Sequence, residues 1–525
     1  MQSKVIKDSL LRPKYGIVST SEPNAANAGL EILKKGGNAI DAAIATAAAL
    51  TVTEPTSNGI GGDNFAIIYH EGKLIGMNSS GKTPNLLTPD VLKERNLENI
   101  PTFGFIPVTV PGVVKGWAEL SKAYGKLDFK DVLKPAIRLA KHGYKIAPTV
   151  RHYWQRAYDT YQKNLKDPMF QSWFDTFGKV PNDEDIVYLK DHAKTLEEIA
   201  DTYGDSFYFG NLADQIHDYS IKHNGLIRKS DLEAHKVEWV TPISTNYRGY
   251  DIYELPPNTQ GIIGLMGLNI LENFDVESLS LADTYHAQIE SIKLAFADGL
   301  NYIADPNYMK ITPDELLSKS YAQKRFKLIS DQAILSETGN PKQAGTVYLA
   351  TADCDGNMVS FIQSNYMGFG SGLVVPNTGI ALQNRGHNLS VDPKSVNYIG
   401  PNKKTYHTII PGFITKNNKP IGPFGVMGGF MQPQGHLQVI SSLIDFHLIP
   451  QLALNRPRFQ WIKEKTIEVE PSLDEQIVNA LKEKGHHIVI QDDLGHFGRG
   501  QIILNIDDGF SVGTEIRCDG TIAYK

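Results

Sequence analysis

Cysteine is nearly absent from this chain, since Cys354 and Cys518 are the two cysteines among 525 residues. They lie far apart in sequence and could pair only if the fold brought their Cα atoms within about 7 Å. Two cysteines cannot form the set of bridges that holds small secreted domains together. The composition therefore excludes a disulfide-stabilised scaffold and allows a reducing compartment.

Long apolar runs and basic blocks are also missing. A membrane-spanning helix needs about 18 or more consecutive apolar residues, and no such run occurs. Residues 1–9 contain two lysines but no apolar segment of secretory length. Lysine and arginine number 52 against 58 aspartate and glutamate, a net charge of −6. Neither nucleic acid nor a membrane is therefore supported as a partner, and we expect a cytoplasmic protein.

The apolar residues that are present follow helical spacing in some segments and strand spacing in others. Residues 23–53 predict two helices separated by Gly36-Gly37-Asn38. Residues 65–77 predict a β-hairpin with its turn at Glu71-Gly72-Lys73. Residues 113–335 are predominantly helical in pattern, with helices predicted at 193–203, 211–222 and 281–302. These patterns predict an α+β fold with strand-rich ends and a helix-rich middle.

A second hairpin pattern follows Gly345. Residues 347–352 and 358–364 are apolar runs on either side of an Asp-Gly-Asn turn, and a similar strand, turn and strand closes the chain around residues 501–512. Residues 337–344 are polar and contain Gly and Pro, which is typical of a loop. Thr346 therefore stands at the start of a predicted strand, directly after a predicted loop and Gly345.

Residues 76–83 fit the G-x-x-x-x-G-K-[ST] pattern of a phosphate-binding loop. In such a loop the Lys and Thr open a helix whose amides hold the phosphates. Here Pro84 follows Thr83 and disfavours helical backbone at that residue. We therefore interpret the motif as a strand end and a turn.

Short motifs run through the whole chain in a fixed order. They comprise residues 23–29, 36–43, 54–55, 59–62, 110–112, 116, 135–143, 195–200, 247–250, 269–273, 355–357, 369–372, 379–380, 400 and 428–429. Their order and spacing resemble those of gamma-glutamyltranspeptidases. The resemblance implies an N-terminal-nucleophile hydrolase, a four-layer αββα sandwich in which helices cover two stacked β-sheets.

The resemblance also implies a precursor that cuts itself between Gly345 and Thr346. Cleavage would give a large segment, 1–345, and a small segment, 346–525, which together form one catalytic domain. Thr346 would become the N-terminal nucleophile, and its free α-amine, with a reference pKa of about 7.7–8.0, would accept the hydroxyl proton. Gly345 would offer little steric obstruction to attack on its carbonyl.

Three further roles come from the resemblance. Ser364 corresponds to a threonine whose hydroxyl bonds to the nucleophile and helps to polarise it. Gly428 and Gly429 correspond to a glycine pair whose amides form the oxyanion hole, where loss of one donor typically costs about 100- to 1000-fold in turnover. Alternatively, Gly428-Gly429 is only a turn.

The positions that bind the acyl group depart from the family pattern. The family holds the amino acid end of a gamma-glutamyl group with Arg, Asn, Gln, Asp and a Ser-Ser pair. At these positions this chain has Ser80, Tyr366, Arg385, Asn388 and His407-Thr408. Losing the Arg and the Asp removes two charge-assisted contacts of about 1.5–3 kcal/mol each. We therefore expect weak gamma-glutamyl transfer.

The run Gln383-Asn384-Arg385-Gly386-His387 is instead similar to the acylase-leaning branch of the family, which removes glutaryl-type side chains from beta-lactam nuclei. A glutaryl group lacks an α-amine, and Arg385, next to Asn384 in the same substrate-binding run, would hold its distal carboxylate. An internal ion pair of Arg385 is the alternative. The segment 390–400 is too short to form the lid loop of some relatives.

The resemblance predicts an enzyme that cleaves an amide through a Thr346 acyl-enzyme. The acyl group, from a gamma-glutamyl or glutathione-like donor, would pass to water or an amine. The alternative within the family is a glutaryl or cephalosporin-type acylase, and the alternative of another class is a non-catalytic binding protein on the same fold. The expected partners are a small-molecule amide and the two precursor segments, and homo-oligomers remain an open option.

We expect neither a metal nor a cofactor. None of the 15 histidines lies in a known metal-binding spacing. His486 and His487 precede a predicted strand, and neighbouring side chains of a strand face opposite sides.

Overall fold

The computed structural model describes residues 10–335, 345–507 and 509–525, and it confirms the α+β prediction. The strands are β1 (Gly16–Thr20), β2 (Asp63–His70), β3 (Lys73–Ser79), β4 (Tyr144–Lys145), β5 (Ile186–Val187), β6 (Glu238–Val240), β7 (Ile243–Tyr247), β8 (Tyr250–Glu254), β9 (Gly345–Asp353), β10 (Met358–Tyr366), β11 (Gly412–Lys416), β12 (Lys419–Met427), β13 (Phe459–Lys463), β14 (Thr466–Val469), β15 (His487–Ile490), β16 (Arg499–Ile506), β17 (Gly509–Thr514) and β18 (Thr521–Tyr524).

The helices are α1 (Pro23–Lys34), α2 (Ala39–Thr53), α3 (Pro89–Glu94), α4 (Val113–Tyr124), α5 (Phe129–His142), α6 (Pro148–Asn164), α7 (Gln171–Phe177), α8 (Lys190–Asp201), α9 (Asp205–Tyr208), α10 (Asn211–Lys222), α11 (Lys229–Glu233), α12 (Gly261–Leu271), α13 (Leu281–Tyr302), α14 (Pro313–Leu317), α15 (Lys319–Phe326), α16 (Met431–Ile444), α17 (Pro450–Asn455) and α18 (Glu475–Glu483). In the described residues, no helix is both long and apolar enough to cross a membrane. Cys354 and Cys518 are both free thiols.

Two large sheets contain strands from both sides of Gly345. The strand order is β18-β1-β9-β10-β2-β3-β6 in the seven-stranded sheet and β17-β16-β12-β11-β8-β7 in the six-stranded sheet. The predicted hairpins β2–β3 and β9–β10 pair antiparallel in the first sheet, and the closing hairpin β16–β17 pairs in the second. Neither sheet can therefore form from one segment of the chain alone.

Strand β9 is buried on both faces, because its alternate side chains enter two different cores. Tyr348 packs in the apolar core between the two large sheets, together with Phe413 of β11 and Ile503 of β16. Val347 and Leu349 face a second core, which joins the seven-stranded sheet to helices including α2, α4 and α5. Burial on both faces explains why the sequence of β9 is nearly continuously apolar. A third core packs helices including α12, α13 and α16 against the six-stranded sheet.

The two helices predicted for residues 23–53 are present as α1 and α2. The side chain of Asn38 accepts hydrogen bonds from the amides of Ile40 and Asp41, and the Asp41 carboxylate accepts one from the Asn38 amide. This reciprocal capping box satisfies amides that have no partner within the helix. Gly36, with φ of +92°, allows the chain to turn between the helices.

The helix-rich middle is interrupted by strands that the sequence pattern did not predict. Strands β6, β7 and β8 lie within residues 113–335. Arg248 and Gly249 connect β7 to β8 with φ values of +49° and +84°. Positive φ at both turn residues is typical of a tight hairpin turn, but Arg-Gly is an uncommon signal for it. The predicted loop 337–344 lies outside the described residues.

The phosphate-loop motif does not open a helix. Strand β3 ends at Ser79, and no helix begins before α3 at Pro89. The Gly81 amide of this turn donates a hydrogen bond to Asp63 Oδ1 at 3.1 Å, so it is not available to bind a phosphate. The interpretation as a strand end and turn is therefore confirmed.

A buried ion pair joins helix α2 to the six-stranded sheet. Arg499 Nη1 of β16 lies 3.0 Å from Glu54 Oε1, and both side chains are buried. Burial raises the pKa of Glu54, although the charge of Arg499 opposes that shift. We expect Arg499→Met to lower the free energy of unfolding by about 3–5 kcal/mol, because it leaves a buried carboxylate without its cation. Urea-induced unfolding of the purified protein measures this loss.

Arg138→Met is the matched control, because Arg138 pairs with Glu31 on the surface, where its side chain is 52% exposed. That change should cost less than about 1 kcal/mol. The double variant Arg499→Met, Glu54→Gln should recover part of the loss. Equal stability of the single and double variants would contradict a charge-based origin.

Candidate active site

The pairing of β9 with β10 is irregular at Thr346. Val347 lies opposite Gln363, and Gly345 lies opposite Tyr366, so two residues of β10, Ser364 and Asn365, stand opposite the single residue Thr346. This two-against-one arrangement is a β-bulge, a feature that re-aims side chains. It directs the Ser364 hydroxyl toward the bond between Gly345 and Thr346.

Ser364 connects the Thr346 hydroxyl to the carbonyl of the preceding residue. Thr346 Oγ1 donates to Ser364 Oγ at 3.2 Å, and Ser364 Oγ donates to the Gly345 carbonyl oxygen at 2.7 Å. The Tyr366 amide also donates to Ser364 Oγ, at 2.8 Å. Ser364 can therefore accept a proton from the Thr346 hydroxyl while it polarises the Gly345 carbonyl. The predicted contact between Thr346 and Ser364 is present.

Gly428 and Gly429 lie between the end of β12 and the start of α16, with φ values of +137° and +60°. These left-handed backbone angles favour glycine. Among the described residues, neither glycine amide donates a hydrogen bond to a protein group. Gln260 Nε2 donates to the Gly429 carbonyl at 2.8 Å and helps to fix this turn. The two amides are thus free to bind an oxyanion.

A cavity of about 310 Å³ opens beside Gly345 and Gly428. We call it the Gly345 cavity. Its other lining residues include the apolar and aromatic side chains Phe103, Tyr153, Tyr161, Met367 and Met427 and the charged side chains Arg156, Asp493 and Arg499. Thr346 and Ser364 are fully buried behind Gly345. Gly345 therefore separates the cavity from the two hydroxyl groups.

Six neighbouring residues, of which five are buried and Asn388 is half-buried, form a polar group that we call the Arg385 cluster. They are Asp63, Tyr366, Arg385, Asn388, His407 and Thr408. Five of the six were predicted from the sequence as substrate-binding residues, and the structure brings those five together. Asp63 was not predicted.

Arg385 is fully buried but only partly paired. Its Nη1 donates to Thr408 Oγ1 at 2.6 Å, and its guanidinium carbon lies 4.4 Å from the centre of the Tyr366 ring. Nε and Nη2, which form the side-on edge of the guanidinium, have no hydrogen-bond partner among the described residues. Burial lowers the pKa of Arg385 to about 10. The charge of Asp63 opposes this shift without a direct ion pair between the two side chains. The alternative, a direct internal ion pair of Arg385, is thus not found among the described residues, and an edge suited to a carboxylate is free.

Asp63 begins β2 and lies opposite Ser364 in the sheet. Its Oδ1 accepts hydrogen bonds from the amides of Gly81 and Gly112, both at 3.1 Å. Its Oδ2 lies 3.0 Å from His407 Nε2. Burial raises the pKa of Asp63 to about 7, opposed by the charge of Arg385. The available sequence signal was a charged residue directly after the motif at residues 59–62.

Asn388 makes two bonds that leave it no role as a charge partner. Its Oδ1 accepts from the Tyr366 hydroxyl at 2.5 Å, and its Nδ2 donates to the Tyr406 carbonyl at 3.1 Å. An ammonium group would need a carboxylate or free oxygen acceptors at this position. Asn388 is neutral and its Oδ1 already accepts one bond, so it offers an ammonium group no counter-charge and at most one further acceptor site.

Two predicted residues lie apart from the Arg385 cluster. Asn384 donates to the Thr102 carbonyl and accepts from the Met367 amide, so it supports the wall of the Gly345 cavity. Ser80 donates to Asn78 Oδ1 and accepts from Asn258 Nδ2, and it lines a neighbouring cavity that Lys404 also lines. Neither contacts Arg385 through a hydrogen bond.

One group of buried side chains has the composition of a metal site. His286, Glu290 and His486 lie close together, although the sequence showed no such spacing across about 200 residues. The histidines bond to each other at 2.8 Å, and Lys293 Nζ lies 2.7 Å from Glu290 Oε1. A cation beside the only carboxylate of the group disfavours a second cation. The expectation of no metal and no cofactor stays a prediction.

Comparisons with known proteins identify the family to which this chain belongs. The family model described as gamma-glutamyltranspeptidase matches residues 25–524. The chain is 36% identical over 513 residues to the glutathione hydrolase-like YwrD proenzyme of Bacillus subtilis (strain 168), covering 94% of this chain and 96% of that protein. It is 32% identical over 524 residues to the acylase ACY 1 proenzyme of Pseudomonas sp. (strain SE83), covering 96% and 93%.

A solved structure is also similar over nearly the whole length. The crystal structure of cephalosporin acylase from Bacillus halodurans is 54% identical, with a TM-score of 0.95 and coverage of 98% of this chain and 96% of that one. The two relatives found by sequence are named as a glutathione hydrolase-like proenzyme and an acylase proenzyme. The solved structure is named as an acylase. The chain is an enzyme that belongs to the gamma-glutamyltranspeptidase family.

Proposed function

We propose that this protein is a self-processing amidohydrolase that uses Thr346 as its nucleophile and prefers acyl groups with a terminal carboxylate and no α-amine, such as glutaryl. The observation that carries the proposal is the free Nε and Nη2 edge of Arg385. A buried guanidinium edge without partners is costly, and a carboxylate satisfies both of its donors at once.

Processing starts with attack of Thr346 Oγ1 on the Gly345 carbonyl carbon. Ser364 relays the proton, because its Oγ accepts the proton of the Thr346 hydroxyl while its own hydroxyl proton passes to the Gly345 carbonyl oxygen. Collapse of the tetrahedral intermediate breaks the bond between the Gly345 carbonyl carbon and the Thr346 nitrogen and moves that proton to the nitrogen. The amide nitrogen leaves with a proton as the new α-amine of Thr346, and water then hydrolyses the ester that joins Gly345 to Thr346. The products are segments 1–345 and 346–525, which act as one catalytic domain. We further propose that the two sheets and their helices form the four-layer αββα sandwich of N-terminal-nucleophile hydrolases.

Processing also opens the site. Thr346, Ser364 and Arg385 are fully buried in the described structure, and Gly345 separates Thr346 and Ser364 from the Gly345 cavity. Release of the Gly345 carboxyl end would let an acyl donor reach the nucleophile. The uncut chain is therefore inactive for two reasons, since it lacks both the free α-amine and access to Thr346.

In the mature enzyme, the α-amine of Thr346 accepts the hydroxyl proton as Oγ1 attacks the substrate carbonyl. The amides of Gly428 and Gly429 stabilise the oxyanion. The protonated amine then gives its proton to the departing amine, and water cleaves the acyl-enzyme. Transfer to an amine instead of water would follow the same steps.

Gamma-glutamyl hydrolysis is the second candidate, because one similar protein is named glutathione hydrolase-like. The contacts of Asn388 argue against it, since both of its side-chain groups are already bonded and carry no charge. A non-catalytic binding protein is the candidate from another class, and failure to self-cleave would favour it.

We expect purified wild-type protein to yield two chains, one of which begins Thr-Val-Tyr-Leu. Thr346→Ala should stay a single inactive chain, because no hydroxyl attacks Gly345. Thr346→Ser keeps the hydroxyl and should process more slowly. Gel electrophoresis with N-terminal sequencing tests these outcomes.

Ser364→Ala removes the hydroxyl that bonds both Thr346 and Gly345, so processing should slow by at least about tenfold, the effect of a lost hydrogen bond of about 1.4 kcal/mol. Ser364→Thr restores the hydroxyl and is the matched control. A single chain in the wild type, or equal hydrolysis by wild type and Thr346→Ala, would contradict the assignment of Thr346.

Substrate preference is tested with glutaryl, gamma-glutamyl and pentanoyl amides that share one chromogenic leaving group. Glutaryl should give the highest kcat/KM, because the pentanoyl group lacks the carboxylate and the gamma-glutamyl group carries an ammonium without a partner. Arg385→Ala should reduce kcat/KM for the glutaryl amide about 10- to 150-fold. It should change the value for the pentanoyl amide much less.

Arg385→Lys is the matched variant, since it keeps the charge but loses the side-on edge, and it should recover only part of the activity. If the gamma-glutamyl amide is better than the glutaryl amide by about tenfold or more, the carboxylate preference is wrong and the second candidate stands.

A further inference from the structure

Asp63 is the one carboxylate in the Arg385 cluster, and the proposed reaction gives it no role. It is fully buried and lies opposite Ser364 in the sheet, and Ser364 in turn bonds to the proposed nucleophile. The amides of Gly81 and Gly112 fix its Oδ1. Backbone amides therefore hold the Asp63 carboxylate in place. Its Oδ2 faces the His407 imidazole, whose proton can lie on either Nδ1 or Nε2.

The consecutive residues His407 and Thr408 connect Asp63 to Arg385 through hydrogen bonds. His407 Nε2 contacts Asp63 at 3.0 Å, and Thr408 Oγ1 accepts from Arg385 at 2.6 Å. The charge of Asp63 acts on Arg385, yet the Nε and Nη2 edge of Arg385 stays free. Asp63 is thus the internal counter-charge of Arg385 without blocking the edge that an external carboxylate would use.

The contact between Asp63 and His407 works in both protonation states of Asp63. When Asp63 is ionised, His407 Nε2 carries the proton and donates it to the carboxylate. When Asp63 is protonated, its hydroxyl donates to an unprotonated Nε2, and His407 carries its proton on Nδ1, which has no partner among the described residues. Asp63 can therefore gain or lose a proton without breaking this contact.

The other charged and titratable groups around Asp63 have fixed states. Burial holds the pKa of His407 well below its usual range, and the charges of Arg385 and Lys404 act in the same direction. Burial raises the pKa of Tyr208, whose hydroxyl donates to the Pro111 carbonyl. Lys404 pairs with Glu238 at 2.7 Å. Asp63 is the group of this set that can change its charge near neutral pH, because burial raises its pKa to about 7.

We propose that Asp63 is a specificity-determining residue. In the free enzyme, ionised Asp63 is the counter-charge of Arg385. When the carboxylate of the acyl group binds, it takes over this role and Asp63 takes up one proton. This inference rests on the proposed function of Arg385. An acyl carboxylate beside an ionised Asp63 would put two negative charges next to one cation, and protonation of Asp63 removes that repulsion. An acyl group without a carboxylate leaves Asp63 unchanged.

The test measures the ratio of kcat/KM for the glutaryl amide to that for the pentanoyl amide between pH 5.5 and 9. The ratio cancels the titration of the Thr346 amine, which both substrates share. In the wild type we expect a constant ratio at low pH and a fall approaching about tenfold per pH unit above about pH 7, because Asp63 must then be protonated first.

Asp63→Asn should give a ratio that does not change with pH. Asparagine keeps the oxygen that accepts from Gly81 and Gly112, and its amide can donate to His407 Nε2. Asp353→Asn is the matched control, because Asp353 is a buried aspartate that accepts the Ala39 amide at the other end of β9. That variant should keep the wild-type profile.

A second measurement on the unaltered enzyme does not depend on the variants. Calorimetry at pH 7.5, in two buffers with different ionisation heats, should show more proton uptake for 5-oxohexanoate, the methyl ketone analogue of the glutaryl amide, than for hexan-2-one, the analogue that carries no carboxylate. Equal uptake for the two ketones, or parallel profiles for wild type and Asp63→Asn, would overturn the role of Asp63 while leaving the glutaryl preference intact. A selective loss of gamma-glutamyl hydrolysis in Asp63→Asn would also overturn it, since Asp63 would then be an ammonium partner. No glutaryl preference at any pH would overturn the proposed function as well.

Discussion

The hydrogen bond from Ser364 to the Gly345 carbonyl is the interaction on which the site depends. It exists because β10 contributes two residues opposite the single residue Thr346. Without this bulge, regular pairing would alternate the side chains strictly, and Ser364 could not contact both the Thr346 hydroxyl and the Gly345 carbonyl. The register of β10 with β2 also sets Asp63 opposite Ser364, so one strand positions both the proposed chemistry and the proposed selectivity.

Burial acts on the Arg385 cluster as a single electrostatic constraint. It lowers the pKa of Arg385 and of His407 and raises that of Asp63, and each of these shifts disfavours a charged form. A ligand that brings an opposite charge to the free Arg385 edge therefore gains more than it would at a surface site, because the cost of burying the guanidinium has already been met by folding. Two guanidinium nitrogens of Arg385, Nε and Nη2, lack hydrogen-bond partners among the described residues, and burial disfavours the charged forms of Asp63 and His407. This combination is typical of a binding site and not of a structural core.

The sequence predicted the elements whose signals are local, and it missed those that depend on distant contacts. The helices around Gly36 and the hairpin after Gly345 follow from turn residues and apolar periodicity, and both are present. Strands β7 and β8 were not predicted because the Arg248-Gly249 turn between them is not a typical hairpin signal. Asp63 was missed because its partners, His407 and the Gly112 amide, are 344 and 49 residues away. Arg385 makes no direct ion pair within the part of the chain that the structure describes, and this depends on three-dimensional packing that the sequence pattern does not show.

The position of β9 in the seven-stranded sheet resolves a difficulty of the proposed mechanism. A newly formed chain terminus normally frays, whereas a nucleophile must be held in place. From Val347 onward β9 is paired with β10, and from Leu349 it is also paired with β1. Its side chains fill cores on both faces. A chain that began at Thr346 would therefore have only its first residue free of strand pairing, and Ser364 would still bond to that residue's hydroxyl. Because each of the two large sheets contains strands from both segments, the cut could change the chemistry at Thr346 without separating the segments.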